Sequence, residues 1–435
     1  MPFDRRRFLI ASGVTGGLAA AAGAGVWTYE ELHHAAREQP LAGGSVLVVV
    51  TLYGGNDGLN TVIPAGDPAY RAARPGLAYS AEETLPLADG LALHPALTGL
   101  HGLWNDHRLA IVRGVGYPKP DHSHFRSMAI WQTASPETTV ATGWLGRWLD
   151  AQAKADPTAA RGIAALRAIS VGPTLAPLVV GASTAAAAVP TGSFKAPSGA
   201  LGQELNLLFR PDQADGPLAA RVASSGADLF TVAGVVAPVL ERKAEQEQAP
   251  AGQLDAGATP TGSPSPGTGG PTKADAGELG AQLDVVAACI RAGVPTRAYS
   301  VNLGGFDTHT GEKDTQARLL RQLDAALTRF QSAVAASPHG TTVTTLVYSE
   351  FGRRVAANAN NGTDHGTAGP VLVLGSAVHG GFYGDQPSLT TLDSGDLKAT
   401  TDFRSVYATV LERVLGADAG SVLGSGEHFP RLAFV

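Results

Sequence analysis

The stretch from Ser45 to Asn60, SVLVVVTLYGGNDGLN, constrains the fold more than any other. Its run of apolar and β-branched residues from Val46 to Thr51 has no polar face and no alternation. A strand of that kind must be covered on both sides, as in the interior of a parallel sheet. Gly54, Gly55 and Gly58 then give a tight turn that holds Asp57 at the C-terminal end of this central strand. In open α/β sheets ligands sit at that edge. An Asp in such a turn also serves its own backbone, so the local reading stands beside the functional one.

The rest of the chain alternates strand and helix. A helix begins at Pro95 and runs to His107, and LAIVRGV (109–115) is a second buried strand leading into the helical SHFRSMAIWQTA. Gly143–Asp150 carries a Trp pair at helical spacing, read as packing. Short strands are predicted at 166–171 and 177–180, and a helix from 217 to 247. Beyond it come a helix at 277–293, a strand at 296–303, a helix at 312–336, strands at 341–348 and 370–374, and a final helix at 402–415. Residues 249–273 are dense in Gly, Pro, Ser and Thr and cannot bury enough apolar surface to order themselves. Alternating elements on both sides of this run predict one doubly wound α/β domain from residue 45 to 435, interrupted by an insertion. With 44% hydrophobic residues, 435 residues are ample for such a core. A net charge of −6 and the lack of a basic stripe argue against a nucleic-acid partner.

The N-terminus reads as an export signal over residues 1–26, with a stem over 27–44. Asp4-Arg5-Arg6-Arg7-Phe8-Leu9 precedes a mildly apolar Ala/Gly-rich run to Val26 and resembles the twin-arginine signal. That implies the twin-arginine export machinery as a partner and a periplasmic, cell-envelope or extracellular location. No stable membrane span follows unless the leader is retained, because the run is Gly-rich and barely long enough. The single cysteine, Cys289, lies in an apolar helical pattern and reads as core.

Several segments beside strand ends carry acids and imidazoles. Besides Asp57, the strand RAYSVNLGGF leads to Asp307 and His309, TTVTTLVYS leads to Glu350, and Asp364 and His365 precede a strand. Carboxylates and imidazoles from distant parts of a chain, each at a sheet edge, are what an O/N-ligated divalent metal site requires. Each motif alone is weak, and Glu350 beside Arg353 and Arg354 also reads as a solvated ion pair. A second group, Asp121-His122-Ser123-His124-Phe125-Arg126-Ser127, sits at a helix N-terminus, where backbone N–H groups favour an anion. A nucleophilic Ser123 beside a metal suits phosphate or sulfate ester cleavage. Ser123 as a plain helix cap is the competing reading.

Taken in order, LYGGNDGLNTVIP, SHFRSMAIWQT, GGFDTH, SEFGRR and TDHG resemble the exported bacterial family catalogued as domain of unknown function 1501. The resemblance runs from Ser45 onward, apart from the insertion. It implies kinship with the alkaline phosphatase and sulfatase superfamily, and with it an alkaline-phosphatase-like, mostly parallel central sheet with helices on both faces. It also implies one or two divalent ions, zinc, magnesium, calcium or manganese, at the C-terminal edge of that sheet. By this resemblance Asp57, Asp307, His309, Glu350 and His365 are metal ligands, with Asp364 beside them. Phe351 stands where a His is usual. The superfamily's nucleophile position falls on His124, with Ser123 one residue off. The expectation is a metal-dependent hydrolase for an anionic small-molecule or polymer ester. In it Ser123 is the nucleophile, His124 the base or the nucleophile itself, and Arg126 an anion contact. The alternative is a non-catalytic envelope binding or assembly protein on a degenerate scaffold.

Overall fold

β1 (Ser45–Leu52) is the strand that the apolar run predicts, and it lies inside a nine-stranded sheet. The computed structural model describes residues 44–156, 161–192, 195, 197–210, 212, 215–248, 272–335, 342–424 and 429–435. The leader, nearly all of the stem and most of the 249–273 run fall outside these residues. After β1 come β2 (Val62–Ile63), β3 (Leu85–Pro86), β4 (Ala92–Leu93), β5 (Leu109–Gly116), β6 (Ala168–Val171), β7 (Ala187–Val189) and β8 (Ala298–Leu303). β9 (Thr342–Ser349), β10 (Gly369–Gly375), β11 (Gly381–Tyr383) and β12 (Thr401–Asp402) complete the set. The sheet order is β11-β5-β10-β9-β1-β8-β6-β7, with β12 beside β5, and β2, β4 and β3 form a separate small sheet.

All pairings in the large sheet are parallel except those of β10, which runs antiparallel to both β9 and β5. Register then decides where the loops go. Leu52 lies beside Leu303 and Ser349, and Gly369 lies beside Val115. The loops leaving β1, β8, β9 and β5 and the loop entering β10 therefore meet at one edge.

Alternate residues of β1 enter two different cores. Val46, Val48, Val50 and Leu52 pack with residues of the helices Thr98–Asn105, Pro217–Gln248, Lys273–Arg291 and Glu312–Ala335. Leu47 and Val49 pack on the other face with the helices His124–Thr133, Trp144–Ala155 and Phe403–Arg413. Each fully buried Val or Leu contributes roughly 1.5–3 kcal/mol, which is why the strand shows no alternation in its sequence. The Trp pair is packing: Trp144 and Trp148 are buried, and Trp144 stacks on Tyr407 at 4.4 Å. Cys289 is buried in the first core, its thiol pushed up to about 12 by burial.

Several element boundaries shift by two to four residues from the sequence reading, and one element differs in kind. Pro177–Val179 is a 3-10 turn rather than a strand. Pro177 offers no N–H to a sheet and its carbonyl accepts from Val180 at 3.1 Å, while Leu178 and Val179 are buried. Between β1 and the helix Thr98–Asn105 lie a short helix, Pro68–Ala73, and the small sheet, elements too short to leave a periodic signal. Within Lys273–Arg291 the backbone leaves helical geometry at Gly277, the point where the sequence pattern begins.

Candidate functional site

His124 is the first residue of the helix His124–Thr133, which is anchored by Trp131 stacked on Tyr348 of β9 at 4.8 Å. That anchor places the His124 ring at the sheet edge. Its Nδ1 lies 2.8 Å from Glu350 Oε1, and the same oxygen accepts the Gly54 N–H at 2.8 Å. His309, past the end of β8, has its Nδ1 3.4 Å from Asp364 Oδ1, and Asn358 Nδ2 donates to that oxygen at 3.2 Å. His365, ahead of β10, has its Nδ1 2.7 Å from the His122 carbonyl. His124 and His365 are thus held from behind through Nδ1, and His309 has a carboxylate beside its Nδ1.

All three Nε2 atoms turn toward Asp307. His309, His365 and His124 place theirs 3.1, 3.2 and 3.4 Å from Asp307 Oδ1. The Nε2 atoms of His309 and His365 are 2.9 Å apart. A carbonyl can only accept, so the proton of neutral His365 is on Nδ1 and its Nε2 lone pair faces inward. Carboxylates behind His124 and His309 favour the same tautomer. His124 Nε2 is buried with no hydrogen-bond partner. Inward-facing lone pairs at this spacing repel one another, and a cation among them would remove the repulsion.

Arg353 supplies the fixed charge of the site. Its fully buried guanidinium donates to the carbonyls of Gly55 (2.7 Å), Thr363 (2.9 Å), Phe306 (3.0 Å) and Gly54, and to Asp307 Oδ1 at 2.8 Å. Burial works against ionising Asp307, but the hydrogen bond and the charge of Arg353 hold its carboxyl at about 2. His365 is pushed below the usual imidazole range, mainly by burial and further by the charge of Arg353. Asp307 is half exposed, so one side of the cluster is open to solvent. Phe351 forms an apolar wall, its ring 4.9 Å from His124 and 4.8 Å from His365.

The family model described as a protein of unknown function, DUF1501, matches residues 45–425. The chain belongs to the DUF1501 family. No curated protein and no solved structure matches it significantly. The matched span of this DUF1501 chain opens with β1 and contains every residue of the cluster.

The residues that the DUF1501 sequence marks as ligands divide into three groups. Asp307, His309 and His365 come together, joined by His124. Glu350 and Asp364 stand one bond behind, each on an imidazole Nδ1. Asp57 lies elsewhere, and the expectation that it joins the others is not met. Its fully buried carboxylate is paired with Arg74 and accepts the Leu59 N–H at 3.2 Å, so the local turn reading describes it. Burial opposes its ionisation, but Arg74, Glu312 and Arg353 outweigh this and pull the pKa down. Neighbouring Glu312 is pushed up, by burial first and then by the charge of Asp57.

The second sequence group is also placed differently from expectation. Ser123 Oγ caps the helix by accepting the Arg126 N–H at 3.5 Å, and Arg126 Nη2 donates to the Pro136 carbonyl at 3.2 Å. Ser127 is buried against Tyr117 and the Asp121 carbonyl. Among the described residues, no serine or threonine hydroxyl bonds to the four clustered side chains. The sequence reading missed the His122 carbonyl, which leaves no residue-type signal. The sequence offers Arg353 only as an alternative solvated partner of Glu350, whereas Arg353 is buried and binds Asp307. An Arg next to a strand-end acid was the only hint.

Proposed function

We propose that this DUF1501 protein is a mononuclear metal-dependent hydrolase of phosphate or sulfate esters. The observation that carries the reading is the set of three imidazoles, each with an oxygen behind Nδ1, with Nε2 atoms surrounding one oxygen of Asp307. Ligand atoms roughly 2.0–2.1 Å from one ion stand roughly 2.9–3.4 Å apart for angles between 90° and tetrahedral. The spacings among His309, His365 and Asp307, 2.9–3.2 Å, lie in that range. A donor set rich in imidazole suits zinc or manganese better than magnesium or calcium. With Asp57 consumed by Arg74, the residues support one ion rather than two.

Asp307, His309 and His365 would hold the ion, and Arg353 would keep Asp307 ionised and aimed. Bound there, a divalent ion would supply a Lewis acid for the ester's non-bridging oxygen. His124 Nε2 would accept the proton of an attacking water as its oxygen bonds to phosphorus or sulfur, and then return a proton to the departing alcohol. Glu350 would stabilise the imidazolium formed in between, as a carboxylate behind a general base does. Ser123 is not needed as nucleophile, since its hydroxyl is committed to the helix. A mostly parallel sheet with the site on loops at its C-terminal edge supports the alkaline-phosphatase-like fold. The twin-arginine-like leader supports an exported location.

The test is metal analysis of purified protein followed by turnover of aryl phosphates and sulfates. One equivalent of ion is expected, lost in Asp307→Ala. Turnover should fall by about 10²–10⁴ in His124→Ala and stay nearly unchanged in Ser123→Ala. Failure to bind any divalent ion sinks the proposal. The missing hydroxyl nucleophile also favours a second reading, a non-catalytic envelope binding protein, and ion binding without turnover of any ester would select it.

A further inference from the structure

Beside the cluster lies a cavity of about 500 Å³ between the loop after β5 and the loop before β12. Two of its lining residues also touch the site. His122 accepts the His365 Nδ1–H through its carbonyl, and Phe351 packs against His124 and His365. A molecule reacting at the cluster therefore has the cavity as its immediate neighbour.

The charges of the wall are unequally satisfied. Asp396, itself buried, is 2.9 Å from His122 Nε2 and 3.4 Å from Arg354 Nε. Asp402 is paired with Arg404 at 2.7 Å. Asp393 is the one lining acid with no cation beside it among the described residues. Lys119 and Lys398 also line the cavity, are exposed, and pair with no acid among the described residues. The two lysines stand on opposite loops, so two ammonium groups with no acid beside them face the opening from either side.

This wall has a defined shape. Asp393 and Asp396 exchange backbone hydrogen bonds at 3.0 and 2.9 Å around Ser394 and Gly395, both at positive φ, which makes a tight two-residue turn. The buried Asp396 ties that turn to His122, so the Lys398 side of the cavity is fixed relative to the cluster.

We infer that the cavity binds a second anionic group of the substrate, so that the preferred ester carries two negative groups rather than one. Lys119 and Lys398 would contact that group, with Tyr117 and Leu397 packing on the carbon skeleton between. The inference deepens the hydrolase reading and rests on it for the nature of the reacting group, but the preference is measured by binding alone.

Calorimetry on the full chain with zinc present, with fructose 1,6-bisphosphate and fructose 6-phosphate as probes, tests it. The bisphosphate should bind about tenfold more tightly, one well-formed charged contact's worth. The advantage should vanish in the Lys119→Ala/Lys398→Ala double variant and persist in Lys154→Ala, on a distant helix. Equal affinities in the wild type, or an advantage that survives the double variant, overturns the inference. Turnover of aryl esters without any bisphosphate advantage overturns this inference alone. A bisphosphate advantage without turnover supports the cavity and removes the hydrolase.

Discussion

Two loops of this protein begin alike and end up opposite. After β1 the chain reads Gly54-Gly55-Asn56-Asp57, and after β8 it reads Gly304-Gly305-Phe306-Asp307. The loops even touch, since a Cβ on Gly54 would lie 2.4 Å from the Asp307 nitrogen. Asp57 is fully buried, matched by Arg74 and sealed beside Glu312, whereas Asp307 is half exposed and faces three imidazole nitrogens. One carboxylate has all its partners inside the protein, and the other is surrounded by groups that want one more. The same local motif thus serves as a structural pin in one place and as a candidate ligand in another, and the difference lies in neighbours far away in sequence.

Substitutions should break this comparison in opposite ways. The largest effect is expected for Asp57→Ala, which strands Arg74 as a buried unpaired charge and should destabilise the fold by about 3–5 kcal/mol in denaturant unfolding. Ion stoichiometry in the folded fraction should be unchanged, and an altered stoichiometry would place Asp57 back among the ligands.

The buried side should also show itself in acid. His94 accepts the Ala96 N–H on Nδ1 and bonds Tyr79 through Nε2. Burial, then the charge of Arg321, holds its pKa down at about 4 against a partial opposing effect of Asp57. The unfolded chain takes up this proton near pH 6.5 and the fold does not until about pH 4, so stability is lost as pH falls through that window. The loss should reach about 3 kcal/mol, and pH-dependent unfolding of His94→Gln should lack it.

On the open side, Asp307→Ala should cost less stability than Asp57→Ala, because the lost carboxylate is half exposed and Arg353 retains its four carbonyl partners, yet weaken divalent-ion binding by about 100-fold or more, read by competition with a chelating dye. Retained affinity would mean that the imidazoles alone make the site. A smaller change is expected for Glu350→Gln, about 10–100-fold in turnover, because the amide still meets His124 but no longer balances its charge. If Glu350→Gln is silent while Asp364→Asn is not, His309 rather than His124 is the imidazole whose orientation matters most.

Much of the frame was legible beforehand. The unbroken Val46–Thr51 run announced a strand buried on both faces, and such a strand implies helices on both sides. Strand ends carrying Asp307, Glu350 and the His365 loop pointed to one edge, and parallel register brings them there. Ser123 as a cap was open in the sequence, and the geometry gives its hydroxyl to the Arg126 N–H. What could not be read was rank among the acids. Glu350 and Asp364 look like ligands by type and position, but their carboxylates stop at the far nitrogen of an imidazole. Nothing in SEFGRR says that Arg353 turns inward while Glu350 holds His124.

By itself the sequence determined the layers, the sheet edge and the kinds of donor available there, because burial on two faces and strand-end chemistry are local consequences of residue type. Which donors converge was decided only by tertiary structure. Convergence depends on the register that sets Leu52, Leu303 and Ser349 side by side. It depends equally on which buried cation, Arg74 or Arg353, reaches each carboxylate first. A charge taken out of water must find its partner across the fold, and that choice is made by packing, not by the motif that carries the charge.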